Sequence, residues 1–392
     1  MSNGRTIILG IGGGAGKVIS CLAATKGASW LEFAYIDTDP ADLENVPGVT
    51  CLPVDRDWTN GQGCGGDPAV GEKAVGASIR ELKALVADAE MVIVVGCLGR
   101  GTASGGIQVV SRLVREEELL AFFFVTMPLA VEGNGRREIA ESALRDLRDN
   151  SDIVVAVQND LLFTTIAADT RANDAFAMAN QVLADGVQGI AELVRCRGGI
   201  SVDFASLRAL LKNREAHCSF GVGHASGANK TVEVIDDLFK SRMLGDQDFL
   251  AQSDVVVASL ISGPDLSIGE MNQCLSALHH QLAPATRSYI GANAVPEKGD
   301  ELQLTIVSVH YKHKPAPAAA PEPAPPPPPA EVKRGRKGKA KVATDEKQFD
   351  LPFVEEMVSL GIFGNVPPTL VNGENLDVPT FQRQGLVLDL DD

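Results

Sequence analysis

Thr102 and Ser104 stand among Gly96, Gly99, Gly101, Gly105 and Gly106, a composition suited to holding an anion. An apolar, β-branched run from Met91 precedes them, and a segment with helical spacing, Ile107 to Glu118, follows. Strand, glycine turn and helix make a phosphate cradle. Glycines let the backbone come close, the first helical N–H groups point at the charge, and the Thr102 hydroxyl adds a donor without bulk. Gly10-Ile11-Gly12-Gly13-Gly14-Ala15-Gly16-Lys17 repeats the arrangement between a short strand, Thr6 to Leu9, and a helix from Val18 to Ala24. On its own that loop reads equally well as a tight strand-to-helix corner. A third loop, Gly61-Gln62-Gly63-Cys64-Gly65-Gly66-Asp67-Pro68, precedes a helical pattern from Val70 to Ala89. Three such loops between parallel-strand signals point to a nucleotide-phosphate site.

The elements around these loops read as an α/β fold. Phe33 to Ile36 is a second buried strand closed by Asp37-Thr38-Asp39, and a carboxylate there can meet the ribose of a dinucleotide, which keeps a Rossmann dehydrogenase in play. Leu119 to Val125 and Ile153 to Val157 are further core strands. Glu132 and Arg136 follow the first of them and read, from spacing alone, as an exposed i,i+4 ion pair. Asn159 ends the second, where ligands collect in open α/β sheets. Asn173 to Val194 is a long amphipathic helix; a phenylalanine in its stripe, Phe176, is a core residue by pattern.

The chain has 392 residues, 45% of them hydrophobic, enough for two domains or one large one. A net charge of −16 argues against a nucleic-acid surface spread over the molecule. Seven cysteines without C-x-x-C or Cys/His ligand spacing read as reduced thiols in a cytoplasm, and the six histidines form no metal set. No signal peptide or bilayer-length apolar run is read. From Asp203 to Lys312 a second pattern holds strands Ala216–Gly223, Val255–Ile261 and Leu302–Val309, with helices Lys230–Arg242 and Ser267–Leu282. Pro315 to Pro329 is a proline-alanine spacer, Val332 to Lys341 a basic run, and Phe353 to Phe363 an apolar island.

The loops taken together resemble the FtsZ family, the bacterial tubulin homologues of the division ring. Its GxGGxGxN turn, GxGxGGxPxxG loop and GGGTGTG signature are matched in order by Gly10–Lys17, Gly61–Gly71 and Gly99–Gly105. The likeness continues in Pro128–Arg136, Gln158-Asn159-Asp160 and Asp174–Asn180, spans residues 5 to about 311, and returns at Asn375–Arg383. It implies a tubulin/FtsZ-like α/β fold with a Rossmann-like GTP-binding domain (1–172), a long central helix (173–197) and a smaller α+β domain (198–312). A disordered linker (313–350) and a tail with a docking peptide (351–392) would follow. GTP or GDP with Mg2+ would be bound by Gly13, Gly14, Gly16, Lys17, Gly99, Arg100, Gly101, Thr102 and Gly105. Glu132 would hold the ribose and Arg136 the sugar-phosphate side, while Phe176 stacks on guanine and Asn180 and Asn159 read its edge.

The resemblance also implies head-to-tail filaments with hydrolysis at the subunit interface, where Asp203 acts on the neighbour's nucleotide. It places the protein in the cytoplasm at a mid-cell ring. Membrane-tethering division proteins would dock on Asp377–Arg383, with no direct nucleic-acid partner. Departures qualify this. Ser201 and Ser206 replace an asparagine and an aspartate in the catalytic loop, which implies slow hydrolysis, since a serine hydroxyl has little basicity. Lys17 and Asp37 replace asparagines, Arg100 and Ala103 replace glycines, and Ser104 replaces a threonine. Arg100 would either neutralise phosphate or crowd it. The alternative function is a nucleotide-binding scaffold or regulator of the same family without effective hydrolysis.

Overall fold

Ten strands form one sheet in the computed structural model, which describes residues 5–25, 27–39, 41, 48–54, 59, 61–195, 216–240, 243, 248–311, 370–371 and 374–375. They are β1 (Arg5–Ile11), β2 (Glu32–Asp37), β3 (Val49–Pro53), β4 (Ala89–Cys97) and β5 (Leu120–Met127). The remaining five are β6 (Ile153–Gln158), β7 (Ala216–Ala225), β8 (Val255–Ser262), β9 (Arg287–Ala294) and β10 (Leu302–Tyr311). The spatial order is β3-β2-β1-β4-β5-β6-β7-β10-β8-β9. The first six strands are all parallel. That order reverses between β1 and β4, and in open sheets the crevice for a ligand lies at such a switch point, beyond the strands' carboxyl ends. β6 meets β7 at one parallel pair, Val155 opposite Cys218. β10 then pairs antiparallel with both β7 and β8, and β8 pairs parallel with β9.

Alternation along the buried strands distributes the core. On β5, Phe122 and Phe124 face α1 (Gly13–Ala24) and α7 (Ala172–Arg195), while Phe123 faces the opposite layer. That layer is built from α2 (Pro68–Ala77), α3 (Ile79–Val86), α4 (Gly101–Glu116) and α5 (Asn134–Asn150). Leu113 and Val110 of α4 and Leu147 of α5 fill it. The short α6 (Asn159–Phe163) follows β6. On the far half of the sheet α8 (Lys230–Lys240), α9 (Asp248–Ala251) and α10 (Ile268–His279) enclose a third cluster around Val234, Leu238, Leu260 and Leu304. Phe220 of β7 meets Phe124 edge-on at 5.7 Å between ring centroids and ties the two halves together.

The structure moves several boundaries. α1 starts at Gly13, not Val18, and α4 starts at Gly101, not Ile107, so the glycines are the first helical turns rather than loops before them. The pattern over Val70–Ala89 is two helices broken at Ser78, and Ala89 already belongs to β4. Gly105 shows why glycine sits inside α4. A Cβ there would lie 2.0 Å from the Pro68 carbonyl oxygen, so its absence lets α2 and α4 touch. Gly105→Ala gains about 1 kcal/mol of helix propensity. It costs more in overpacking, up to about 3 kcal/mol, because the obstacle is backbone. The net expectation is a lower urea midpoint at unchanged slope.

Contacts divide the chain at 320: Met1–Ala320 is one unit, and Pro321–Asp392 a second. In the second, the described residues are β11 (Leu370–Val371) and β12 (Glu374–Asn375), paired antiparallel. The proline spacer, the basic run, the apolar island and the Asp377–Arg383 motif lie outside the described residues.

Candidate functional site

The switch point is occupied by a cavity of about 510 Å3. Its floor is the starts of α1 and α4. Gly13, Gly14 and Lys17 line it from α1, and Arg100, Gly101 and Thr102 from α4. Gly12, the residue before α1, has φ +82°, a conformation open to glycine, and Arg100, the residue before α4, is extended at φ −126°. Neither helix has a side-chain cap or an acidic residue in its first turn. Two sets of amide N–H groups and two positive helix ends therefore converge with no acidic residue in either first turn, the arrangement that binds phosphate.

Thr102 is nearly buried and shares a 2.6 Å hydrogen bond with the Thr38 hydroxyl, which also lies 3.3 Å from Cys64 Sγ. This cluster joins the ends of β2 and α4 to the third glycine loop, which adds Gly65 and Gly66 to the lining. Asp37 is buried; its Oδ2 accepts from the Tyr35 hydroxyl at 2.8 Å and its Oδ1 from the Thr38 amide at 2.6 Å. Asp39 accepts from the Ala41 amide, and Glu132 accepts from the Leu129 amide and pairs with Arg136. Each acidic residue on the wall is thus engaged. Among the described residues, the Lys17 ammonium and the Arg100 guanidinium make no hydrogen bond or ion pair, while the Arg100 carbonyl accepts from the Ser104 amide. Burial pushes the Cys97 thiol up, outweighing the Thr126 hydrogen bond and the Arg100 and Lys17 charges that push it down.

The opposite wall comes from Asn159 of α6 and from Phe176 and Asn180 in the first turns of α7. Phe176 is not a core residue: it is 48% exposed and meets Phe163 edge-on at 5.1 Å. Two aromatic faces and two amides at one end, with bare amides and cations at the other, suit a base and a phosphate chain respectively. Eleven of the residues singled out in the sequence thus share one cavity: Gly13, Gly14, Lys17, Arg100, Gly101, Thr102, Glu132, Arg136, Asn159, Phe176 and Asn180. Gly16, Gly99 and Gly105 are not in its lining. Gly16 packs on the Tyr35 ring, Gly105 on α2, and Gly99 lies against the backbone of Arg136. Asp203 and Ser206 lie outside the described residues. Phe163, Thr38 and Cys64 were missed by sequence reasoning. Thr38 and Cys64 lie within stretches the sequence already marks, the close of β2 and the third glycine loop, and Phe163 leaves the weaker signal of an aromatic residue just past a strand end.

Comparison with known proteins matches this geometry. The family model for the tubulin/FtsZ GTPase domain matches residues 5–167, and that for the FtsZ C-terminal domain matches 216–311. The cell division protein FtsZ of Coxiella burnetii is 30% identical over 305 residues, covering 78% of either chain. That of Azotobacter vinelandii is 29% identical over 301 residues, 77% of this chain and 76% of its own. A solved FtsZ of M. jannaschii superposes with a TM-score of 0.71 at 25% identity, covering 79% of this chain and 89% of its own. Fold and site therefore define a GTPase of the tubulin/FtsZ class, with the parallel sheet and long central helix that class has. Within it, the chain belongs to the FtsZ family.

Proposed function

We propose that the chain is a filament-forming GTPase of the cell-division ring, with each nucleotide held in the cavity and completed by a second copy. One observation carries this. A single cavity joins two uncapped glycine helix starts to Phe176, Asn159 and Asn180, so phosphates and base have separate, chemically suited ends. The phosphates lie on the α1 and α4 amides with Lys17 and Arg100 as counter-charges. The Glu132 carboxylate accepts from the ribose hydroxyls, Arg136 orients it, Phe176 stacks on the base, and the two amides read the guanine edge. Gly16, Gly99 and Gly105 act one step back by setting the helix and loop positions.

Magnesium accompanies the triphosphate in this reading. Magnesium bound with a triphosphate keeps mostly phosphate and water oxygens as ligands, so the cavity would need to supply few protein ligands to it. Asp203 of the next copy polarises the attacking water, which makes turnover depend on assembly; a contact between unlike faces does not close and builds filaments. The proposed domains are 1–172, 173–197 and 198–312, supported by family matches that stop at 167 and resume at 216. The tail at Asp377–Arg383 is the proposed dock for membrane-tethering division proteins, which would hold the filament at mid-cell.

Displacement of a fluorescent guanosine nucleotide tests the reading. GTP and GDP are expected to compete and ATP and NAD to fail; displacement by ATP or NAD overturns it. The loop chemistry has its own test. Ser206→Asp restores a carboxylate beside the attacking water and is expected to raise phosphate release from assembled protein about tenfold or more. Unchanged release would remove the assigned role of this position. Absence of any release from assembled wild-type protein would favour the scaffold alternative.

A further inference from the structure

The ring of Phe163 meets that of Phe176 at 5.1 Å between centroids and 70° between planes, and both residues line the nucleotide cavity. Resting on the reading of that cavity as a guanine-nucleotide site, we propose that Phe163 is a positioning residue. It fixes the plane of the Phe176 ring and with it the plane in which the base stacks. Phe176 needs such a partner. It stands in the first turns of α7 with 48% of its surface exposed. A phenylalanine that exposed samples several staggered wells, and each aims the ring elsewhere. Among the described residues, Phe163 is the one ring paired with it, and an edge-to-face contact favours a single orientation.

Phe163 can hold that ring because α6 is itself held. Leu162, the residue before it, is buried in the core. The Asp160 carboxylate accepts from the Ala130 amide at 3.1 Å, which ties α6 to the loop carrying Glu132. At the other end the Thr164 and Thr165 hydroxyls donate to the carbonyls of Leu161 and Leu162 at 2.6 and 2.7 Å. Phe163 itself is half-buried and faces the cavity, so packing alone does not account for a ring there. A base lying flat on Phe176 stands nearly perpendicular to Phe163. The two rings therefore make a corner and not a sandwich: one stacks the base, and the other sets its tilt. Tilt matters to Asn159 and Asn180, because hydrogen bonds to the base edge weaken steeply when misaligned.

The test is displacement of a fluorescent guanosine nucleotide by GDP and by GTP from the full chain and its variants. Phe163→Leu keeps an apolar side chain and loses the ring. It is expected to weaken GDP and GTP alike, about two- to tenfold, since both carry the same base. Phe163→Tyr keeps the ring and should retain wild-type affinity. In a Phe176→Leu background, Phe163→Leu should add no further loss, because its effect passes through the ring already removed. An equal loss in both backgrounds would show that the residue only supports α6, and it overturns the proposal. Unchanged affinity in Phe163→Leu, or the same loss in Phe163→Tyr, does so too. A wild-type chain that takes up neither nucleotide fails at the site itself. One that binds both and is indifferent to Phe163→Leu fails only here.

Discussion

Asp203→Ala is expected to lower phosphate release from assembled protein by about a hundredfold or more, the usual weight of a positioned general base. GTP affinity of the unassembled chain should stay unchanged if, as proposed, Asp203 serves the nucleotide of the next copy. Those two readings must separate. The serines at 201 and 206 sharpen the expectation: Asp203 is the carboxylate left in its loop motif, so no neighbouring acid in that motif takes over its role. Mixing offers a further check. Wild-type and variant chains in one filament should give turnover in proportion to the wild-type fraction, since each variant copy silences the cavity it caps. Equal loss of GTP affinity and turnover would contradict action in trans.

Arg100→Gly is the second large effect. In the sequence, an arginine at a family glycine position could either strain the turn or neutralise phosphate. The backbone decides between them. Arg100 is extended at φ −126°, outside the left-handed region, so its side chain imposes no strain. Its guanidinium lines the cavity and makes no hydrogen bond or ion pair among the described residues. Charge-assisted hydrogen bonds contribute about 1.5–3 kcal/mol each, so GTP affinity should fall roughly 10- to 100-fold in the variant. GTP should suffer more than GDP, and the loss should shrink as salt rises. Tighter GTP binding by Arg100→Gly would show that crowding is the dominant effect.

The phosphate end of this site was legible because glycine spacing after apolar runs reports backbone approach directly. The helix starts were not. Glycine is a poor helix former, so propensity places α4 after its glycines, yet packing against Pro68 and Glu72 of α2 holds Gly105 in the helix. Phe176 failed for another reason. Periodicity assigns a residue to a face but cannot say whether that face is covered in the first turn, and here it opens onto the cavity. β9 escaped notice because Arg287, Gly291 and Asn293 break the β-branched pattern. Pairing with β8 along its whole length supplies the missing stability. Thr38 and Thr102 lie 64 positions apart, and their contact exists only once β2 and α4 are side by side.

Sedimentation of the purified full chain with GTP, GDP, ATP or no nucleotide, with phosphate release followed in the same samples, reaches the central claim most directly. Pellets should form with GTP alone, and release should begin only above the protein concentration at which pellets appear. Pelleting that is equal without nucleotide, or phosphate release from dilute chains that do not assemble, would contradict a nucleotide gripped by one molecule and completed by the next.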